Sequence, residues 1–198
     1  MCKGLWSFVH DKRRMAAVVL LIGAVLGLLA SFVLSVEAMI LARDANAVLS
    51  CSLNAVINCA TVASHWSATV FGVPNSFFGM MAMSVVVTIA VALVAGVTFP
   101  RWFLCCTQVG LLAGCAAAVW MLYMSMVQIG VLCPWCLVLD VGMVMMLYGS
   151  TRYMVLQGLV THRWVQIIVR RGYDAMIAVG AVVLVALVIM TKFGEQLF

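Results

Sequence analysis

The sequence predicts an all-α integral membrane protein with five transmembrane helices, and three observations carry that prediction. Mean hydropathy is +1.22, with 67% of the residues hydrophobic and only 9% charged, far from the composition of water-soluble domains. Apolar runs of about 20 residues, the length a helix needs to cross a bilayer core, recur through the 198 residues. The basic residues gather on alternate connections between those runs, as the positive-inside rule requires of a multi-pass chain.

The first run, "MAAVVLLIGAVLGLLASFVLSV" (15–36), follows the basic cluster Lys12, Arg13 and Arg14. A cleaved signal peptide is the rival reading, because Ala45 and Ala47 form an A-x-A triplet. Such peptides have apolar cores of only about 7–15 residues, so a spanning helix is expected instead. Further spans are expected at 76–97, 102–127, 131–150 and 173–190, within a single membrane domain covering 1–198. Two connections are long. One is the polar stretch 37–75, with Arg43, Asp44, Asn46, Asn54, Asn58, Ser64 and His65; the other is "TRYMVLQGLVTHRWVQIIVRR" (151–171). The second mixes aliphatic and arginine residues, as an interfacial amphipathic helix does.

In a five-span chain, Lys3, Lys12, Arg13, Arg14, Arg101, Arg152, Arg163, Arg170 and Arg171 fall on one side, and only Arg43 and Lys192 on the other. That bias predicts a cytoplasmic N-terminus, an exported loop at 37–75 and an exported C-terminus. The net charge of +5 is thus a topology signal, and no nucleic-acid partner is expected.

This topology sorts the cysteines. Cys51 and Cys59 fall in the exported loop, and Cys133 and Cys136 at the exported end of the fourth span. Cys105, Cys106 and Cys115 lie within the third span as small hydrophobes, and Cys2 is cytoplasmic. The motif "CPWC" (133–136) reads as a helix start: Cys133 at the N-cap and Pro134 at the first helical position, where its missing N–H is no loss. The helix N-terminus favours a Cys133 thiolate, the form that attacks disulfides. Cys136, one turn on, is within disulfide reach. So short a loop gains little as a staple, because stabilisation grows with loop length, and redox chemistry explains it better. Cys51 and Cys59 would lie about 12 Å apart along a continuous helix, so the loop has to fold back for them to pair; a mobile dithiol and a loop-pinning disulfide are both open.

Two thiol pairs on one side suggest a relay between soluble partners and an acceptor in the lipid. The sequence has no G-x-G-x-x-G or C-x-x-C-H, and none of His10, His65 and His162 lies in an apolar span. A quinone is the expected two-electron acceptor, and no metal is expected, because the C-x7-C spacing suits a four-cysteine zinc site poorly.

The C-x7-C pair, the stretch "ATVASHWSATVFGVPNSFFG" (60–79) and CPWC, in that order, resemble the vitamin K epoxide reductase family, and in particular its bacterial members that oxidise exported thiols. The likeness runs from the first span to Tyr148. In DsbB, which does the same job, the CxxC pair comes first. The resemblance implies a four-helix transmembrane bundle, here with a fifth helix added. It further implies that Cys133 and Cys136 are the pair beside the quinone, with Cys136 nearest the ring and Cys133 able to form a transient disulfide with Cys59. Cys51 then exchanges with the soluble partner. Asn75 is implied to donate its amide hydrogen to a quinone carbonyl, and Val62, Trp66 and Phe78 to wall the pocket; Asn75 also suits a turn or N-cap after Pro74.

Two departures shape the functional expectation. Relatives that reduce vitamin K epoxide carry a tyrosine one turn after the second CxxC cysteine, where this chain has Asp140, on the same helix face as Cys136. Taken as the only carboxylate well inside a span, Asp140 is a candidate proton donor to the reduced quinone. The chain also stops at Phe198 without the thioredoxin-like domain fused to many bacterial relatives, which predicts a separate exported thioredoxin-like (DsbA-like) partner. The expected function is therefore thiol:quinone oxidoreduction in the bacterial cytoplasmic membrane, with menaquinone or ubiquinone as acceptor. The alternatives are a quinone or epoxide reductase working for the quinol, and a non-enzymatic membrane protein with disulfide staples.

Overall fold

The protein is described by a computed structural model covering residues 2–49, 51–52, 56–160 and 162–197. Asn54 and the side chains of Cys2, Lys3 and His10 lie outside the described residues. Among the described residues all regular structure is helical: α1 (Cys2–Arg43), α2 (Cys59–Ser64), a 3-10 turn (Trp66–Thr69), α3 (Asn75–Val94), α4 (Arg101–Tyr123) running into a π turn (Met124–Ile129), α5 (Pro134–Leu156), α6 (Arg163–Arg171) and α7 (Tyr173–Leu197). Five of these are long and apolar enough to cross a membrane.

Proline and glycine set the boundaries. Pro74 and Pro100 stand at the N-caps of α3 and α4, and Pro134 occupies the first turn of α5, where a missing N–H costs nothing. The π turn ends at Gly130 (φ 74°), a left-handed position that glycine takes without strain. α1 runs beyond its apolar stretch to Arg43, a cation in the last turn that complements the helix dipole. Glu37 therefore belongs to the helix and does not open the polar loop.

α1 packs mainly on α5 and then on α3, while α4 covers another side of α5. Glycines bring α1 and α5 together: a methyl added at Gly142 would sit 2.8 Å from Gly23 O and 3.2 Å from Gly27 N, and one at Gly149 would sit 2.7 Å from Ala16 O. Close backbone approach of this kind is how helices associate in lipid, where burial of apolar side chains supplies no drive. Between α4 and α5, Ser150 Oγ donates to Gln108 Oε1 (2.6 Å) and Gln108 Nε2 to Thr151 Oγ1 (2.9 Å). These paired groups satisfy each other away from water.

The two ends of the bundle differ in chemistry. At one, Arg13 Nε donates to Leu156 O (3.1 Å), and Arg152 donates to both Asp174 oxygens (3.0 and 2.7 Å), tying the end of α5 to the start of α7. α6 lies between those helices in sequence, with Val169 buried and Trp164 exposed, as an amphipathic segment requires. At the other end, Lys192 of α7 donates to Met126 O of the π turn, and there the paired cysteines converge. α7 lies outside α5, with Ile177, Val179, Leu184 and Leu187 exposed.

Candidate active site

The site is assembled by a short backbone clamp. After the π turn, Leu132 N donates to Val56 O (2.7 Å) and Asn58 N donates to Leu132 O (3.1 Å), forming an isolated parallel bridge between Ile57 and Leu132. Asn58 and Leu132 immediately precede Cys59 and Cys133, so the bridge sets the two cysteines side by side. Each then starts a helix. The Asn58 side chain accepts from Thr61 N (3.2 Å) as the N-cap of α2 and also accepts from Ser52 Oγ (3.0 Å), which fastens the turn around Cys51.

The sulfurs form a compact row. Cys51 and Cys59 are joined in a disulfide, with Cα atoms 5.8 Å apart, so the loop does fold back as pairing requires. Cys59 Sγ lies 3.5 Å from Cys133 Sγ, and both residues are almost wholly buried. Cys133 and Cys136 are free thiols. Cys133 is the N-cap of α5, with its Sγ accepting from Cys136 N (3.3 Å), the arrangement the CPWC motif predicts. Just outside the spanning helix Pro134–Leu156, the Cys133 thiol is held below its ordinary pKa. The hydrogen bond from the Cys136 thiol contributes most, helped by the N–H groups of Cys136 and Trp135 and opposed by burial and by the charge of Glu37. Cys105, Cys106 and Cys115 on α4 are free, the first and last packed against the core and Cys106 exposed.

Beside this row lies a cavity of about 510 Å³, enclosed by α1, α2, α3, α4 and α5 and of the size that accepts a small organic molecule. Cys59, Cys133 and Cys136 line it, as do Val62, Asn75, Phe78 and Asp140. Two expected features are arranged differently. Asn75 is the first residue of α3, with Pro74 at the N-cap, and its amide nitrogen donates to Ser67 O (2.7 Å) and approaches Met121 Sδ (3.8 Å). Its buried Oδ1 has no hydrogen-bond partner. The amide thus staples the 3-10 turn to α3 and leaves its acceptor unpaired. Trp66 is 62% exposed and is not among the lining residues; it packs edge-on against Trp120 (6.1 Å), which is.

Glu37 is the residue that sequence reasoning passed over. It is only 4% exposed, with carboxyl oxygens 3.1 and 3.2 Å from Cys51 Sγ. Asp140 is therefore not alone as an acid inside a spanning helix, because Glu37 falls within the first, Asp11–Arg43. Its position 14 residues before Cys51, just past the apolar run, was the available signal. Reading the run as ending at Val36 hid it. Glu37, Cys51 and Cys59 place one ligand atom each within 4.8 Å of one another, but with Cys51 and Cys59 bonded to each other this trio is an acid against a disulfide.

No curated protein matches the chain. The sequence profile of the vitamin K epoxide reductase family matches residues 18–151, a stretch that begins in α1, ends in α5 and contains both cysteine pairs, Glu37, Asn75 and Asp140. Members of that family are redox proteins linked in general to a thiol partner and a quinone. With its five membrane-length helices, its row of four cysteines and that match over most of its length, the chain is an oxidoreductase belonging to the vitamin K epoxide reductase family.

Proposed function

We propose that the protein passes electrons from an exported thioredoxin-like (DsbA-like) dithiol to a membrane quinone and so sustains disulfide formation outside the cytoplasm. The observation that carries this reading is the 3.5 Å separation of Cys59 and Cys133 sulfurs at the edge of the cavity. It is a distance from which one thiol–disulfide exchange links the two pairs.

In this reading a partner thiolate attacks Cys51 Sγ, the Cys51–Cys59 bond breaks and Cys59 leaves as a thiolate. The second partner thiol resolves the mixed disulfide, releasing the partner oxidised and Cys51 reduced. Cys59 then attacks Cys133 in a Cys133–Cys136 disulfide, and Cys136 is the leaving thiolate. Cys51 attacks Cys59, which restores the loop disulfide and frees Cys133. Cys133 and Cys136 now hold the electron pair and pass it to the quinone as their disulfide closes again. Two thiols and one quinone become one disulfide and one quinol, with Asp140 as a proton source on the cavity wall. Cys133 suits its part because its thiolate is favoured at the N-terminus of α5. Val62 and Phe78 supply apolar wall, and Asn75 offers its unpaired Oδ1 to a quinol hydroxyl. Trp66 backs the wall through Trp120.

The basic residues support an orientation in which the cysteine end of one membrane domain, including the C-terminus, faces the exported side of a bacterial cytoplasmic membrane and the N-terminus is cytoplasmic. The deciding experiment follows quinone absorbance with purified protein and a reduced thioredoxin-like donor, for the native chain and Cys136→Ala. Turnover by the native protein and a fall to the uncatalysed rate in the variant are expected. A folded native protein inert toward menaquinone and ubiquinone would sink the reading.

A further inference from the structure

A carboxyl group buried at the sulfur row needs an explanation, because burying an ionisable group in a membrane protein is costly and marks a functional position. Glu37 is nearly as buried as the cysteines, and both of its oxygens lie against Cys51 Sγ. In the oxidised state that sulfur has no proton to give, so any hydrogen bond at this contact is donated by the carboxyl. Opening the disulfide reverses the demand. A thiolate at Cys51 would put a second negative charge at 3 Å from a buried carboxylate, and two such charges cannot both persist. Glu37 and Cys51 then share one proton and titrate as a pair.

We propose that Glu37 is the proton carrier of the entry cysteine. When Cys51 leaves its mixed disulfide with the partner, Glu37 gives its proton to the departing thiolate. When Cys51 attacks Cys59 in the Cys59–Cys133 disulfide, Glu37 takes that proton back as the new S–S bond forms and Cys133 departs. Over one cycle the carboxyl is unchanged. The surroundings suit the task. The titratable groups around Glu37 are Cys51, Cys59 on α2, and Cys133 and Cys136 at the head of α5. The charged residues Arg43 and Asp44, at the end of its own helix, are exposed. The proton thus has a defined place to rest at the buried sulfur.

This proposal rests on the relay reading for its kinetics, but not for its proton coupling, and the test separates the two. In the fully reduced protein, Cys51 alkylation by iodoacetamide is followed against pH by mass spectrometry, alongside donor oxidation with quinone, for the native chain, Glu37→Gln and Glu37→Asp. The native Cys51 profile is expected to show two inflections, E37Q one, and E37D two. Donor-oxidation kcat should fall at least tenfold in E37Q, with KM changed less than twofold, in the range of a lost general acid–base group, and recover in part in E37D. A merely structural Glu37 would leave the number of inflections unchanged. A single inflection in the native protein, or two in E37Q with kcat within twofold of native, overturns the proposal. Should E37Q fail to accumulate, the native and E37D profiles decide. A native protein that oxidises no donor yet shows the two inflections removes the relay and leaves the shared proton standing.

Discussion

The two halves of the α1–α5 contact solve opposite problems. Toward the Arg13 end, Gly23, Gly142 and Gly149 let the backbones touch, and the side chains between them are apolar or small. Toward the cysteine end, α2, Glu37 and the cavity lie beside the same pair of helices. A rigid, glycine-notched half holds the helix axes, and the other half uses that rigidity to present Cys133 at the head of α5. Sulfur exchange needs reacting atoms within a few tenths of an ångström of line and distance, and a packed backbone seam provides that better than flexible side chains do.

The comparison breaks most visibly at the clamp. Leu132→Pro removes the N–H that donates to Val56 O while leaving the glycine seam untouched. In a Cys51→Ala, Cys136→Ala background, formation of the Cys59–Cys133 disulfide, followed on non-reducing gels after protease cleavage between them, should slow roughly tenfold or more, as misplacement of reacting groups costs. An unchanged rate would mean that the bridge does not position the pair. The seam itself is tested by Gly142→Ala. Its added methyl meets backbone atoms that cannot rotate away, and a loss of about 1–3 kcal/mol is expected in detergent unfolding, with slower exchange as a secondary effect. A neutral result would show that α1 and α5 separate easily and that the seam is not rigid.

The smallest expected effect is electrostatic. With Cys51 and Cys59 changed to serine and the CxxC pair reduced, thiolate absorbance should put the Cys133 midpoint below the ordinary thiol value of about 8.5. A depressed midpoint means that the thiolate persists as pH falls and is lost only on passing that lower midpoint. Cys136→Ala deletes the largest cause of the depression, its side-chain hydrogen bond, and should move the midpoint up. No upward movement would assign the effect to the helix terminus alone.

Much of this was open to reading in the residues. Hydropathy located five membrane-length helices, because a chain in lipid must satisfy its backbone within helices and so writes each span as a continuous apolar run. CPWC announced a capped helix, because proline and a capping sulfur act within one turn. What failed to show was side-chain direction. Trp66 lies in the expected motif yet is largely exposed and outside the cavity lining, where Trp120 of α4, packed against it, stands instead. Asn75 keeps its motif position but turns its N–H groups to Ser67 and Met121.

By itself, then, the sequence determined the membrane class, the number of spanning helices, the cap at Cys133 and the chemistry that four such cysteines can perform. These are properties of composition and of contacts within a turn or two of the chain. Only the tertiary structure decided that Glu37 stands against Cys51 and which aromatic closes the cavity, and it alone gives the physical means by which Cys59 and Cys133 meet, a meeting the family resemblance implied. Cys59 and Cys133 are 74 positions apart and are joined through a two-bond clamp of backbone groups. Every residue but proline carries both groups alike, so no side-chain pattern records the pairing.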